Sequence, residues 1–175
     1  MGGWFLQPDC NLPSGESILR QIEAGRDYFK RTFGIDVKQT AINFDPFGHS
    51  RGLVQLLRRS GYTSYLICRP NVGSPGSELP GDIFTWEGLD GSQITVLRSP
   101  YMYNSVLGKV TDRIQMFLEK EQGRSGPGML LWGVGNHGGG ASRKDITDIG
   151  NLPQNLHLKH STVDNFFSEL DAYRQ

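Results

Sequence analysis

The sequence predicts an α/β fold with a mainly parallel sheet and helices outside it, and three observations carry this reading. Apolar runs of strand length alternate with segments of helical period. The run over residues 37–44, VKQTAINF, stops abruptly at Asp45, which Pro46, Gly48 and His49 follow. A second apolar run over 128–134, GMLLWGV, stops at the glycine-rich turn 135–140, GNHGGG. Two strands thus deliver polar residues to a rim, where α/β barrels keep their chemistry.

Residues 14–33 read as a helix. Ser14 can cap it, Glu16 suits its positive N-terminal end, Ile18, Ile22, Phe29 and Phe33 recur near helical period, and Gly34 stops it. The β-branched and aromatic content of 37–44 predicts a buried strand with Asp45 as its last residue. Pro46 cannot donate to a ladder, and Ser50 can cap the helix RGLVQLLRRS, in which Leu53, Val54, Leu56 and Leu57 precede Gly61. Residues 62–68, YTSYLIC, form the next strand and complete a β-α-β unit.

The Pro-, Gly- and Ser-rich residues 69–81 form an irregular loop of the kind that carries binding functions. Strands over 83–88 and 92–99, joined by a Leu-Asp-Gly turn, predict a hairpin that leaves the main sheet as an excursion. Residues 105–122 read as a helix with Val106, Val110, Ile114, Phe117 and Leu118 on one side. The apolar run 128–134 is the next strand, Ser142 caps a short helix through Ile149, and 156–159 is a weak strand. Ser161 with Asp164 opens a final amphipathic helix. About four core strands are visible, fewer than a closed barrel needs, so the sheet is open or its barrel is incomplete.

With 175 residues, 37% of them hydrophobic, the chain can bury a sizeable core and reads as a single domain, 1–175. Its 18 basic and 18 acidic residues cancel, with no dense basic stripe, so charge supports neither a nucleic-acid nor an anionic-membrane partner. A neutral substrate fits better. Cys10 and Cys68 have no CxxC spacing and give no disulfide framework, so a reducing, cytoplasmic compartment is expected. No apolar stretch approaches the roughly twenty residues that span a bilayer, and the opening MGGWFLQPD lacks the basic and apolar regions of a signal peptide. A start on Gly-Gly-Trp with no strand before it reads as a piece of something longer.

Asp45 and His137 are the candidate chemical residues. By itself, an aspartate at a strand end is commonly a turn residue that accepts backbone amides, and a turn histidine can serve a neighbouring carbonyl. Gly138, Gly139 and Gly140 let a backbone approach a ligand closely, with Asn136 and His137 supplying polar groups. The turn lacks the Lys-Ser/Thr ending of a phosphate loop and the spacing of a dinucleotide fingerprint.

Together the segments PDCNLPSGES, FDPFGHS and GVGNHGGG, in that order over nearly the whole chain, resemble the N-terminal catalytic domain of glycoside hydrolase family 38, the retaining α-mannosidases. The bacterial and cytosolic branch is the more similar. The resemblance implies part of a seven-stranded β/α barrel that lacks its first strand and the downstream helical and β domains. It implies that Asp45 is the nucleophile and also a zinc ligand, roles a carboxylate can combine. Phe47 would cover the C–H face of a bound sugar, and Asp9, His49 and Asn136 would lie at the substrate. The substrate would be a mannose-containing oligosaccharide or a small mannoside, with zinc as cofactor.

The departures from the family pattern shape the expectation further. No His-x-Asp segment precedes Gly2, and neither His157 nor His160 stands in a His-Asp motif, so Asp45 alone of the zinc set is present. The chain by itself is expected to hold zinc weakly or not at all and to be inactive. A retaining enzyme needs a second carboxyl about 5 Å from the nucleophile. Many relatives have an Asp where this chain has Asn136, whose amide cannot give up a proton, which leaves His137 or a group elsewhere as the acid. The alternative is a non-catalytic carbohydrate-binding or regulatory domain that kept the fold. Sheet edges left open by missing strands would invite self-association into a homo-oligomer.

Overall fold

The computed structural model describes residues 3–36, 39–71, 73, 78–79, 81–135 and 139–174. The chain divides into two compact units, Met1–Pro100 and Tyr101–Gln175.

The first unit holds a four-stranded mixed sheet. Its strands are β1 (Thr40–Asn43), β2 (Ser64–Ile67), β3 (Ile83–Glu87) and β4 (Gln93–Arg98), in the order β1-β2-β4-β3. β1 pairs parallel with β2 and β2 with β4, whereas β3 is antiparallel to β4. The expected hairpin exists, but it is no excursion: β4 sits inside the sheet between β2 and β3. Its burial explains this, since Ile94, Val96 and Leu97 are all buried, and a strand apolar on both faces needs neighbours. The register aligns Ala41, Tyr65 and Val96, with Phe84 opposite Val96, along one face.

Two helices of this unit supply the remaining core, α1 (Gly15–Phe33) and α2 (Gly52–Arg59). Ser14 caps α1 by accepting the Ser17 amide at 3.2 Å, and Gly34 ends it in the left-handed region at φ 66°. Its buried line runs through Ile18, Ile22 and Gly25 and stops there. Phe29 and Phe33, expected on that line, instead join Phe5 and Tyr28 in an outer aromatic cluster, with Phe33 54% exposed. Leu53, Val54 and Leu57 of α2 pack with Ile18, Ile22, Tyr65 and Val96. Ser50 was expected to cap α2, but the N-cap is Arg51, which makes no side-chain cap bond; the Ser50 hydroxyl, one residue further out, accepts only the Gly52 amide at 3.2 Å.

β1 begins later than expected and ends at Asn43, so Asp45 stands in the turn beyond the strand, while Val37 and Lys38 lie outside the described residues. The outer edge of β1 is covered by the N-terminal segment. Trp4 Nε1 donates to Ile42 O at 2.8 Å, Asn43 Nδ2 to Pro8 O at 3.0 Å, and the Phe44 amide to Gln7 Oε1 at 3.0 Å. Side-chain bonds thus stand in for a neighbouring strand and blunt an open edge.

The second unit contains α3 (Val110–Lys120), α4 (Arg143–Gly150) and α5 (Val163–Arg174). α3 starts five residues after the expected Ser105, because Gly108 at φ 69° breaks the helical path and sends its amide to the Asp145 carboxylate at 3.1 Å. Val106 is consequently exposed. Residues 128–134 form no strand. Their backbone makes isolated bonds instead, Leu131 O to Arg113 Nε at 2.9 Å and Gly133 O to the Ser105 amide at 2.7 Å, and a strand needs a continuous ladder. The weak strand at 156–159 is also absent: a 3-10 turn, Gln154–Leu156, leads into an irregular stretch. Thr162 rather than Ser161 caps α5, accepting the Asn165 amide at 3.2 Å. Ser142 caps α4 as expected, through the Asp145 amide at 3.0 Å.

Candidate active site

The parallel strands β1 and β2 end side by side, Asn43 opposite Ile67. The turns that leave them, 44–50 and 68–71, therefore meet at the C-terminal end of the sheet, where open α/β sheets bind ligands. They line a shallow depression of about 210 Å³ formed by Pro46, Phe47, Gly48, Arg69, Pro70 and Asn71.

Asp45 is half-buried beside this depression. Its Oδ1 lies 2.5 Å from Arg69 Nε, an ion-pair contact without the alignment of a hydrogen bond. Arg69 was absent from the sequence-derived set of site residues. Its signal was nonetheless there, since it follows β2 as directly as Asp45 follows β1, and a rim position is informative on either strand.

Phe47 is 87% exposed and presents its ring to solvent at the edge of the depression. Gly48 explains the tightness of the turn. At φ 151° its backbone favours glycine, and a Cβ there would lie 2.6 Å from Asn11 Nδ2. The PDCN segment thus packs directly on the FGHS turn, and the structure brings together two of the three segments that the sequence singled out.

Asp9 holds that segment in shape. Its Oδ1 accepts the amides of Asn11 at 2.8 Å and Leu12 at 3.1 Å, a local Asx turn. His49 lies beneath the surface, with Nδ1 3.0 Å from the Tyr65 hydroxyl and Nε2 3.0 Å from Arg69 O. Burial lowers its pKa below the ordinary histidine value, the Arg69 carbonyl opposing this only in part. A carbonyl can only accept, so Nε2 carries the proton and Nδ1 of the neutral ring accepts from Tyr65.

The hydrogen bonds continue inward from there. Tyr65 Oη is 3.8 Å from Cys10 Sγ, and Asn43 Nδ2 donates to the same sulfur at 3.0 Å. Burial pushes the Tyr65 hydroxyl well above its usual range and raises the Cys10 thiol, so both stay protonated at neutral pH. Asn136 and His137 lie outside the described residues.

The zinc ion implied by the resemblance can be tested against these groups. Among the described residues no cluster of three or more His, Cys, Asp or Glu side chains could hold a metal, and the Asp45 carboxylate already faces a guanidinium. The described residues do not fit a zinc site, which needs several protein ligands converging on one point.

The chain matches the profile of the glycosyl hydrolases family 38 N-terminal domain over residues 1–174. It is 31% identical to alpha-mannosidase G of Dictyostelium discoideum, an alignment covering 99% of this chain and 16% of that protein. It is also 31% identical to the alpha-mannosidase of Saccharomyces cerevisiae, covering 97% of this chain and 16% of that one. The crystal structure of an alpha-mannosidase from Enterococcus faecalis V583 shares the fold, with a TM-score of 0.71 at 20% identity over 98% of this chain and 20% of that chain. This chain therefore spans about a sixth of the length of the relatives it matches. With a profile match along nearly its whole length, the chain belongs to glycosyl hydrolase family 38, as its N-terminal domain.

Proposed function

We propose that this chain is the nucleophile-bearing piece of a retaining α-mannosidase, part of a seven-stranded β/α barrel, with Asp45 as the nucleophile. One observation carries the reading: Asp45 stands at the C-terminal rim of the parallel pair β1–β2, against Arg69 and next to the exposed ring of Phe47. An Asp45 oxygen attacks the anomeric carbon of a terminal α-mannoside as the glycosidic C–O bond breaks, and the leaving oxygen takes a proton from an acid. Water then attacks the same carbon while its proton passes to the deprotonated acid, the ester bond breaks, and carboxylate and acid are both restored with retained configuration at the sugar.

Arg69 balances the charge of the carboxylate and restricts its orientation, while Phe47 covers the apolar face of the sugar. Asp9 shapes the N-terminal segment at the rim. His137 is the chain's candidate polar partner at the glycine turn, with Asn136 confined to hydrogen bonding. The two buried free cysteines support a reducing, cytoplasmic setting.

The test is hydrolysis of an aryl α-mannoside and zinc content, measured on this chain and on a form extended at both ends to the length of its relatives. The extended form is expected to bind zinc and turn over, Asp45→Asn is expected to reduce turnover to background, and a fluorinated mannosyl inactivator is expected to add one fluoromannosyl mass to the peptide carrying Asp45. Labelling elsewhere, or full activity of Asp45→Asn, overturns the assignment. A second reading is a sugar-binding domain that kept the fold and the exposed Phe47 ring without the chemistry. That reading becomes the better account if the extended form neither binds zinc nor hydrolyses.

A further inference from the structure

We infer that His49 is a positioning residue: by gripping the Arg69 carbonyl from beneath the rim, it sets the Arg69 guanidinium against Asp45. The inference rests on Asp45 being the working carboxylate and assigns His49 a task distinct from touching the sugar. Both ring nitrogens are already engaged inside the protein, Nε2–H with Arg69 O and Nδ1 with the Tyr65 hydroxyl, each at 3.0 Å. The ring is held edge-on to two aromatics, 5.5 Å from Tyr65 and 6.1 Å from Trp86, so it cannot tilt without giving up packing on both sides.

A histidine in this place links three separate segments of chain. Asn43, at the end of β1, donates to Cys10 and Pro8 of the N-terminal segment. The Cys10 thiol has Tyr65 Oη at 3.8 Å and Pro8 O at 3.9 Å as acceptors, and the Tyr65 hydroxyl leads to His49 and so to Arg69. A line of buried polar groups thus runs under the floor of the depression, from the segment bearing Asp9 to the residue that meets Asp45. A residue on an irregular loop has no ladder to fix its main chain, and the bond from His49 supplies the missing constraint at Arg69. Only a neutral ring with its proton on Nε2 can both accept from Tyr65 and donate to a carbonyl.

The test is solution NMR on this chain, joined to kinetics on the extended form. At pH 7 the His49 ring nitrogens are expected to show a protonated Nε2 and a hydrogen-bonded, unprotonated Nδ1; the opposite tautomer or an imidazolium overturns the inference. The Arg69 Nε–H resonance is expected to stand apart from those of unconstrained arginines. His49→Phe, which keeps a ring and loses both bonds, is expected to move it into their common position. His49→Gln, which keeps an N–H donor near Nε2, is expected to hold it close to the wild-type place. An unmoved Arg69 resonance in folded His49→Phe overturns the inference, and the tautomer decides the matter if that variant does not fold. In the extended form, His49→Phe is expected to lower kcat about a hundredfold with KM little changed, as misplacement of a reacting group does, and His49→Gln to restore most of it. If Asp45 proves not to be the nucleophile, the proposed function fails while the spectra still decide the position of Arg69; if Asp45 is confirmed and Arg69 does not move, only this inference falls.

Discussion

Gly25 lies in the middle of α1 with the N-terminal segment pressed onto it. A Cβ there would stand 2.5 Å from both Phe5 N and Trp4 C, main-chain atoms that cannot rotate away. Glycine in a helix interior is usually a cost, and here it permits Trp4 to reach across and donate to Ile42 O. Gly25→Ala should improve helix propensity and still destabilise the fold by about 1–3 kcal/mol through overpacking, read as a lower urea midpoint at unchanged slope. His49 makes the second residue-scale expectation. Its pKa is lowered in the folded chain by burial, so the unfolded chain binds more protons below its ordinary value near 6.5. The stability it contributes is present above about pH 6.5 and is lost as pH falls through the lowered value. The groups facing it are the Tyr65 hydroxyl, the main chain of Arg69 and the apolar ring of Trp86, with Cys10 beyond Tyr65. Urea unfolding at pH 7.5 and pH 5 should show wild type losing more stability than His49→Gln; equal losses would place the acid sensitivity elsewhere.

At the scale of elements, α4 begins on a small cluster that also decides where α3 begins. Ser142 Oγ accepts the Asp145 amide at 3.0 Å and donates to Asp145 Oδ2 at 2.5 Å. The same carboxylate accepts the amides of Gly108 and Val110, each at 3.1 Å. The Ser142 hydroxyl foremost, then the Gly108 and Val110 amides, hold the Asp145 carboxyl below the usual carboxylate range. Its contribution is therefore full above the unfolded value near 3.9 and is lost as pH falls through the lower folded value. Ser142→Ala should cost about 1 kcal/mol for the cap alone. The loss should extend to α3, seen as faster amide exchange at Val110 as well as at Asp145; an effect confined to α4 would show that Asp145 holds α3 without help from the hydroxyl.

Over the whole molecule, the buried apolar cluster that joins the sheet to α1 and α2 lies entirely within Met1–Pro100. The second unit has its own buried residues, among them Val110, Ile114, Phe117, Phe166 and Leu170. No helix among the described residues is long and apolar enough to cross a membrane. With 18 basic against 18 acidic residues and a pI near 6.9, the chain carries almost no net charge to keep copies apart at neutral pH. Exposed apolar groups such as Leu12 at 87%, Val106 at 72% and Leu6 at 65% add to the tendency to associate. Light scattering should therefore show association strongest near pH 7 and falling at pH 9; a maximum well away from neutrality would point to sheet edges rather than charge.

What the sequence by itself determined was local. Ser14, Gly34 and Ser142 were legible as helix boundaries, because a cap is a bond between residues three to four positions apart and needs nothing from the rest of the chain. The β-α-β unit from β1 to β2 was legible too, since a strand, a tight turn and an amphipathic helix leave few ways to connect. Family membership was readable from three ordered motifs. Tertiary structure decided everything that depends on which distant groups become neighbours. An apolar run such as 128–134 reads as a strand wherever it falls, yet it becomes one only where another backbone offers a ladder. β4 entered the middle of the sheet because both of its faces could be buried there. Arg69 met Asp45, and His49 the Arg69 carbonyl, because folding brought the ends of β1 and β2 together; the sequence marks Arg69 as a residue just past an apolar run, but which rim residues become partners is a property of the packed chain.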